Sequence, residues 1–390
     1  MKIKKYNEFL ESMTNEIDLP NDIINISNAY IKAGKDIYVV GGAVRDFLQN
    51  KTPKDWDLVT NALPDESKEI LKGFNVSDEQ GKNFGVLRVY TKDEPEGYEI
   101  ASYRRDISGG RDTKGDDQKV EMGGDVTIED DVNRRDLTVN SLFYDIKNKK
   151  IVDLVGGVDD VKNGVIRAVG DASQRFIEDR LRILRIFRFA SRIGGKIDSE
   201  TANAILKDNR LKGVGPKDDV SQERIIEEVK KAWKQAINFN DYLSLFTEFN
   251  MWGEVFPGVK INTDLVDSDD FVIVMTNLFK LEDVKVLERK LVQDFKIDTD
   301  LSKKILFLLE FSKFTPNDVL DLYKKKISSG ISEKTLLEWI DVNGGSDIMK
   351  KFIIFKPSVN SQDLMDKGFK GRDLGIKIKE LEIENFKELL

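Results

Sequence analysis

Two aspartates set the chemistry to look for. Asp55 and Asp57 stand two residues apart in Asp55-Trp56-Asp57, and in an extended strand residues so spaced share a face. Two carboxylates on one face are hard oxygen donors suited to Mg²⁺, and beside a bound triphosphate they would make a site for metal-assisted transfer. Just upstream, the apolar run Ile37-Tyr38-Val39-Val40 meets Gly41-Gly42 and then a helical pattern from Ala43 to Leu48 that carries Arg45. Glycines let a phosphate approach the backbone, a helix N-terminus favours an anion, and a guanidinium pairs with phosphate. This stretch therefore predicts a buried strand, a glycine turn, a helix, and a second strand holding both aspartates.

Composition narrows the chemistry further. The chain has 390 residues, enough for more than one domain, and contains no cysteine and no histidine. Disulfides, thiolate metal sites, histidine bases and Ser-His-Asp triads are all excluded. Metal-assisted transfer of phosphorus groups needs only carboxylates. The net charge of −8 argues mildly against nucleic acid as a partner, although local basic patches can still bind it. No apolar run is long enough to cross a bilayer, and Met1–Pro20 lacks the apolar core of a signal peptide. Both point to a cytoplasmic protein without a membrane partner.

Two later segments could handle a nucleotide. In Asp131-Val132-Asn133-Arg134-Arg135-Asp136-Leu137-Thr138-Val139-Asn140-Ser141, Arg135 suits bidentate contact with triphosphate, and Asp136 and Asn140 could bond a ribose. The run from Arg175 to Ala190 is placed on one helix of about 3.6 residues per turn. Arg182, Arg185, Arg188 and Arg192 then share one face, Ile183, Ile186, Phe187, Ala190 and Ile193 another, and Gly194-Gly195 ends the helix. With Arg175 and Arg180 included, this positive density opposes folding unless an anion is bound. Elsewhere, Pro64 starts a helix, Gly81–Phe84 is a turn feeding a strand, and Asp106–Gly124 is a mobile loop. Ile151–Leu154 is a strand with Val165–Val169 as its partner. Beyond about Thr201 the periodicity is helical. Basic clusters at Lys324–Lys326 and Lys367–Lys379 are weak signals for RNA contact.

These segments resemble class II nucleotidyltransferases, the family of bacterial CCA-adding enzymes and poly(A) polymerases. The matching signatures are the strand with Gly-Gly-x-x-Arg-Asp and Asp-x-Asp, the Arg-Arg-Asp-x-Thr-x-Asn of residues 134–140, and the Glu-Asp-x-x-Arg-x-x-Arg of residues 178–185. The family often has Pro where this chain has Arg180. The resemblance spans about residues 35–260 and thins afterwards. It implies an α+β fold: a nucleotidyltransferase head with a small mixed β-sheet and helices, then a mainly helical neck, body and tail. The expected divisions are an extension over 1–24, the head over 25–147, the neck over 148–215, the body over 216–310 and an RNA-binding tail over 311–390.

The resemblance also implies roles. Asp55 and Asp57 hold Mg²⁺, with Glu99 a third catalytic carboxylate. Gly41, Gly42, Arg45 and Arg135 hold the triphosphate, Asp136 and Asn140 the sugar, and Asp179 with Arg182 reads the base, supported by Arg185 and Arg188. The substrates would be CTP, ATP and the 3′ end of tRNA or another RNA. Poly(A) synthesis, partial CC or A addition, and a non-catalytic RNA-binding protein stay open as alternatives.

Overall fold

The computed structural model describes residues 16–77, 85–106, 120–122, 125–212 and 220–390. The chain forms two compact units, one of residues 1–220 with 235–237, the other of residues 221–234 with 238–390.

The first unit is built on alternation. Its first nine strands are β1 (Ile37–Val40), β2 (Asp57–Thr60), β3 (Asn75–Ser77), β4 (Val86–Tyr90), β5 (Tyr98–Ser102), β6 (Arg104–Asp106), β7 (Val120–Met122), β8 (Leu142–Asp145) and β9 (Lys150–Asp153). Seven of them make one mixed sheet in the order β3-β4-β5-β2-β1-β8-β9, and β6 pairs with β7. Only β2 and β5 run parallel in that sheet; its other neighbours are antiparallel. The register sets Val40 opposite Asp57 and Leu58 beside Ile100, which puts Asp57 level with Glu99. Side chains alternate between faces, so Asp57 shares a face with Val59, and Glu99 with Ala101. On that face Val40, Val59, Tyr103 and Phe143 pack against Val126 and Val132.

The helices of this unit are α1 (Asn21–Lys32), α2 (Gly42–Leu48), α3 (Pro64–Ile70), α4 (Ile128–Asn133), α5 (Gly157–Asn163), α6 (Ala172–Glu178), α7 (Arg182–Ile193) and α8 (Ser199–Lys207). Gly41 makes the turn from β1 into α2 with φ +67°, a conformation that glycine adopts at little cost. Pro64 is the first residue of α3, and Glu66 reaches back to accept from the Leu63 amide at 2.8 Å.

Four expectations are corrected. Asp55 lies outside β2, two residues before its start, because the ladder with β1 ends at the Val40–Asp57 pair. Residues 175–192 do not form one helix. The chain leaves α6 at Asp179, which has extended φ −151° and ψ 107° and accepts from the Leu181 amide at 3.0 Å. Aspartate favours such local bonds over helix interiors, and Arg180 turns inward to a 2.8 Å ion pair with Asp208. The partner of β9 is β8, while Val165–Ile166 pairs with Lys196–Ile197. Val120–Met122 is strand, not loop. The predicted turn at Gly81–Phe84, residues 107–119 and 123–124 of the predicted loop, and residues 1–15 lie outside the described residues.

The second unit is helical. Its core is aromatic: Trp233, Phe239, Tyr242, Phe246, Trp252 and Phe256 meet in successive ring pairs at 5.1, 5.6, 4.9, 5.0 and 6.4 Å between centres. Such pairs add about 0.5–1.5 kcal/mol each beyond burial. A further cluster joins Phe307, Phe311, Trp339, Phe352 and Phe386. Among the described residues no helix is long and apolar enough to cross a membrane.

Candidate active site

Asp57 opens β2 with its side chain reaching solvent. Its carboxyl is nevertheless held above the usual carboxylate range. The surrounding protein, which displaces water, is the largest cause, followed by the charges of Glu99 and Asp55; Arg135 and Arg88 pull the other way. Asp55, Asp57 and Glu99 are thus electrostatic neighbours. Glu99 is engaged by the Arg88 guanidinium, its register partner on β4, so it stands as a paired carboxylate beside the two aspartates. Among the described residues no three acidic side chains gather into a metal cage. Mg²⁺ fits such a place, since it binds through one or two carboxylates, substrate phosphates and water. The donor set is all oxygen, and a cation would relieve the crowding of negative charge around Asp57.

The three signature segments meet in one chain of hydrogen bonds. Arg45 of α2 is 2 % exposed and donates from Nη1 to Asn140 Oδ1 at 2.6 Å. Asn140 Nδ2 donates to Asp136 Oδ1 at 3.4 Å, and Asp136 Oδ2 accepts from Arg185 Nε at 2.7 Å. Burial raises the Asp136 carboxyl, but Arg185, Asn140 and Arg182 together hold it below its ordinary range. Asp136 and Asn140 therefore act first as couplers between the glycine turn and α7. Arg45 also donates to Asp46 at 2.8 Å through Nη2, so its positive charge is largely answered within the protein.

Arg135 is differently placed. Nε and Nη2 bond Asp131 Oδ2 at 3.0 and 2.8 Å, and Nη1 bonds the Asn140 carbonyl at 3.3 Å. The group lies over the Phe143 ring, 4.9 Å from its centre. A β-carbon at Gly41 would stand 3.9 Å from Arg135 Nη1 and 3.5 Å from the Asn140 carbonyl. The bare glycine thus leaves an approach to this guanidinium. Gly42 is the first residue of α2, beside Arg45.

The third segment is less open than its face pattern suggests. Arg182 donates from Nη1 to Glu178 at 2.6 Å and the Arg175 carbonyl at 3.3 Å, and from Nη2 to the Arg134 carbonyl at 3.0 Å. Arg188 is buried and donates to Gln235 at 2.8 Å. The expected ladder of presented guanidiniums is corrected here: Arg182 and Arg185 tie α7 to Arg134 and Asp136, and Arg188 ties it to Gln235. Asp179 sits in the link before α7, with one carboxylate oxygen on the Leu181 amide.

Sequence reasoning missed the residues that hold these groups. Asp131 is fully buried and clamps Arg134 and Arg135; its spacing of three and four residues from them was the available signal. Asp46 bridges Arg45 and Arg192, the latter at 3.6 Å. Phe189 carries the guanidiniums of Arg45, Arg185, Arg188 and Arg192 at 5.3, 5.9, 4.5 and 5.9 Å from its ring centre, each attracted by the ring's negative face. In the second unit Lys325 pairs with Glu310, Lys326 donates to the Ile353 carbonyl, and Lys379 pairs with Asp321 at 2.6 Å. Much of that lysine charge is already answered.

Comparison with known proteins places these features in context. The Poly A polymerase head domain family matches residues 37–167. The chain is 32% identical over 248 residues to Poly(A) polymerase I of Salmonella typhi, a match covering 62% of this chain and 51% of that protein. It thus spans about half the length of these relatives. To the CCA-adding enzyme of Lactobacillus helveticus it is 32% identical over 327 residues, 80% of this chain and 75% of that protein. Its fold resembles that of the Bacillus stearothermophilus CCA-adding enzyme in complex with CTP, with a TM-score of 0.66 and 21% identity over 92% of this chain and 90% of that one.

Proposed function

This chain belongs to the family of bacterial CCA-adding enzymes and poly(A) polymerases, and from that membership we propose that it adds C and A nucleotides from CTP and ATP to the 3′ end of tRNA in the cytoplasm, releasing pyrophosphate. The observation that carries this reading is the Asp57 carboxyl, crowded by Asp55 and Glu99 and faced by Arg135 and Arg88. Paired functional carboxylates beside a phosphate-binding guanidinium are what nucleotidyl transfer needs.

Asp55 and Asp57 would hold Mg²⁺, which when bound supplies activation of a terminal hydroxyl and neutralisation of phosphate charge. Arg135 meets the triphosphate through the gap left by Gly41, with Asp131 fixing the plane of its guanidinium. Arg45 holds Asn140, whose carbonyl borders that gap. Asp179 and Arg182 read the base: a carboxylate only accepts and a guanidinium only donates, a match to the amino group and ring nitrogen shared by cytosine and adenine. For Arg182 to do so it must exchange one of its present acceptors, Glu178 or a carbonyl. CCA addition is preferred over poly(A) synthesis because the match to the L. helveticus CCA-adding enzyme extends over 75% of that protein, against 51% for the S. typhi Poly(A) polymerase I.

The test is to incubate the protein with a tRNA ending before its CCA, with each NTP alone and all together, in Mg²⁺. The reading expects CTP-dependent addition, then a single A. Runs of A on any RNA would favour the poly(A) alternative, and no addition would leave only RNA binding.

A further inference from the structure

The face of the sheet that carries Asp57 also carries an open pocket of about 530 Å³ at its far end, lined by Lys35, Asp36, Tyr38, Glu66, Tyr103 and Glu129 among others. Asn61 of the lining lies four residues beyond Asp57, about 13 Å at about 3.3 Å per residue, and the nucleotide chemistry uses none of the lining. Lys35 is answered by Glu66 at 2.7 Å. Asp36 accepts from Asn61 Nδ2 at 3.2 Å, and among the described residues neither Asp36 nor Glu129 has a cationic partner, so the described lining carries net negative charge. Tyr103 is 3% exposed, and its hydroxyl is buried without a hydrogen-bond partner. The Tyr38 hydroxyl acts on it from hydrogen-bond range, without the geometry of a full bond. A buried hydroxyl left unbonded costs about 1–3 kcal/mol, and a ligand group would relieve that cost.

We propose that this pocket is a binding site for a small organic polycation, a linear di- or triamine. An ammonium has donors for the carboxylates of Asp36 and Glu129 and for the oxygen of Tyr103. Its charge is attracted by the face of the Tyr38 ring, and its methylenes can lie along Val126 and Leu63, which also line the pocket. A phosphate or other anion would meet net negative charge. A bare metal ion would find no three carboxylates gathered to hold it.

Titration calorimetry of the full chain with spermidine tests the proposal. Saturable binding to one site is expected, with no heat from a neutral diol of equal length. Asp36→Asn and Glu129→Gln should each weaken binding about tenfold or more, and Tyr103→Phe about three- to tenfold. Glu129 lies on the surface, so its variant keeps the test alive if Tyr103→Phe disturbs folding. Asp57→Asn should leave the affinity unchanged. No saturable binding, equal affinity in the Asp36 and Glu129 variants, or loss of binding in Asp57→Asn would each overturn the proposal.

Discussion

Asp57 and Asp131 belong to the same unit and are opposites. Asp131 is fully buried between two arginines. Burial raises its carboxyl, yet Arg135 and Arg134 together hold it below the usual range. Asp57 reaches solvent, yet burial by its surroundings and the charges of Glu99 and Asp55 hold it above that range. The deeper carboxylate is the satisfied one. A chain that needed Asp57 only for stability would have given it the partners that Asp131 has. The difference separates carboxylates that build the site from those that act in it.

Substitution should separate the two classes. Asp57→Asn is expected to lower nucleotide addition about a thousandfold or more, since it removes a group needed in the transition state, while leaving thermal stability equal or higher because a repulsion is relieved. Asp131→Ala should do the reverse in kind: it leaves two arginines without their shared carboxylate and is expected to cost about 3 kcal/mol in denaturant unfolding. If Asp57→Asn unfolds the protein while Asp131→Ala does not, the assignment of roles is inverted.

Acid titration sharpens the contrast. A group whose folded pKa is lowered contributes stability that is present above its unfolded value, about 3.9 for aspartate, and lost as pH falls through the folded value. Asp131 and Asp136 both contribute in this direction, and Asp57 contributes oppositely, since protonating it favours the fold. Unfolding followed by circular dichroism should show stability falling below about pH 4, with a shallower fall in Asp131→Ala and a fall at least as steep in Asp57→Asn. A smaller effect is expected at Asp179. Asp179→Ala should reduce discrimination of CTP and ATP against UTP and GTP by about tenfold or more. A proportional loss with all four nucleotides would make Asp179 only the residue that shapes the link into α7.

What was legible in the sequence follows from the range of the forces involved. The run Ile37–Leu48 declares itself locally: β-branched residues, a glycine that must take positive φ, then helix formers. The structure shows strand, turn and helix there. The break at Asp179 was hidden because residues on both sides carry helical periodicity, and what decides it is the inward turn of Arg180 to Asp208, 28 residues on. Asp55 fell outside β2 because only pairing with β1 fixes where a strand begins. The grouping of Arg45, Asn140, Asp136 and Arg185 rests on bonds between residues up to 95 positions apart, which spacing alone cannot show. The resemblance named these residues for a bound nucleotide; the fold shows their donors and acceptors meeting one another.

The most direct test of the central claim is 3′-end sequencing of a tRNA lacking its CCA after incubation with CTP, ATP and Mg²⁺, using the native chain and Asp57→Asn side by side. The account predicts that the native chain restores C, C and A and stops, and that Asp57→Asn leaves the ends as supplied. Equal addition by both proteins would contradict it.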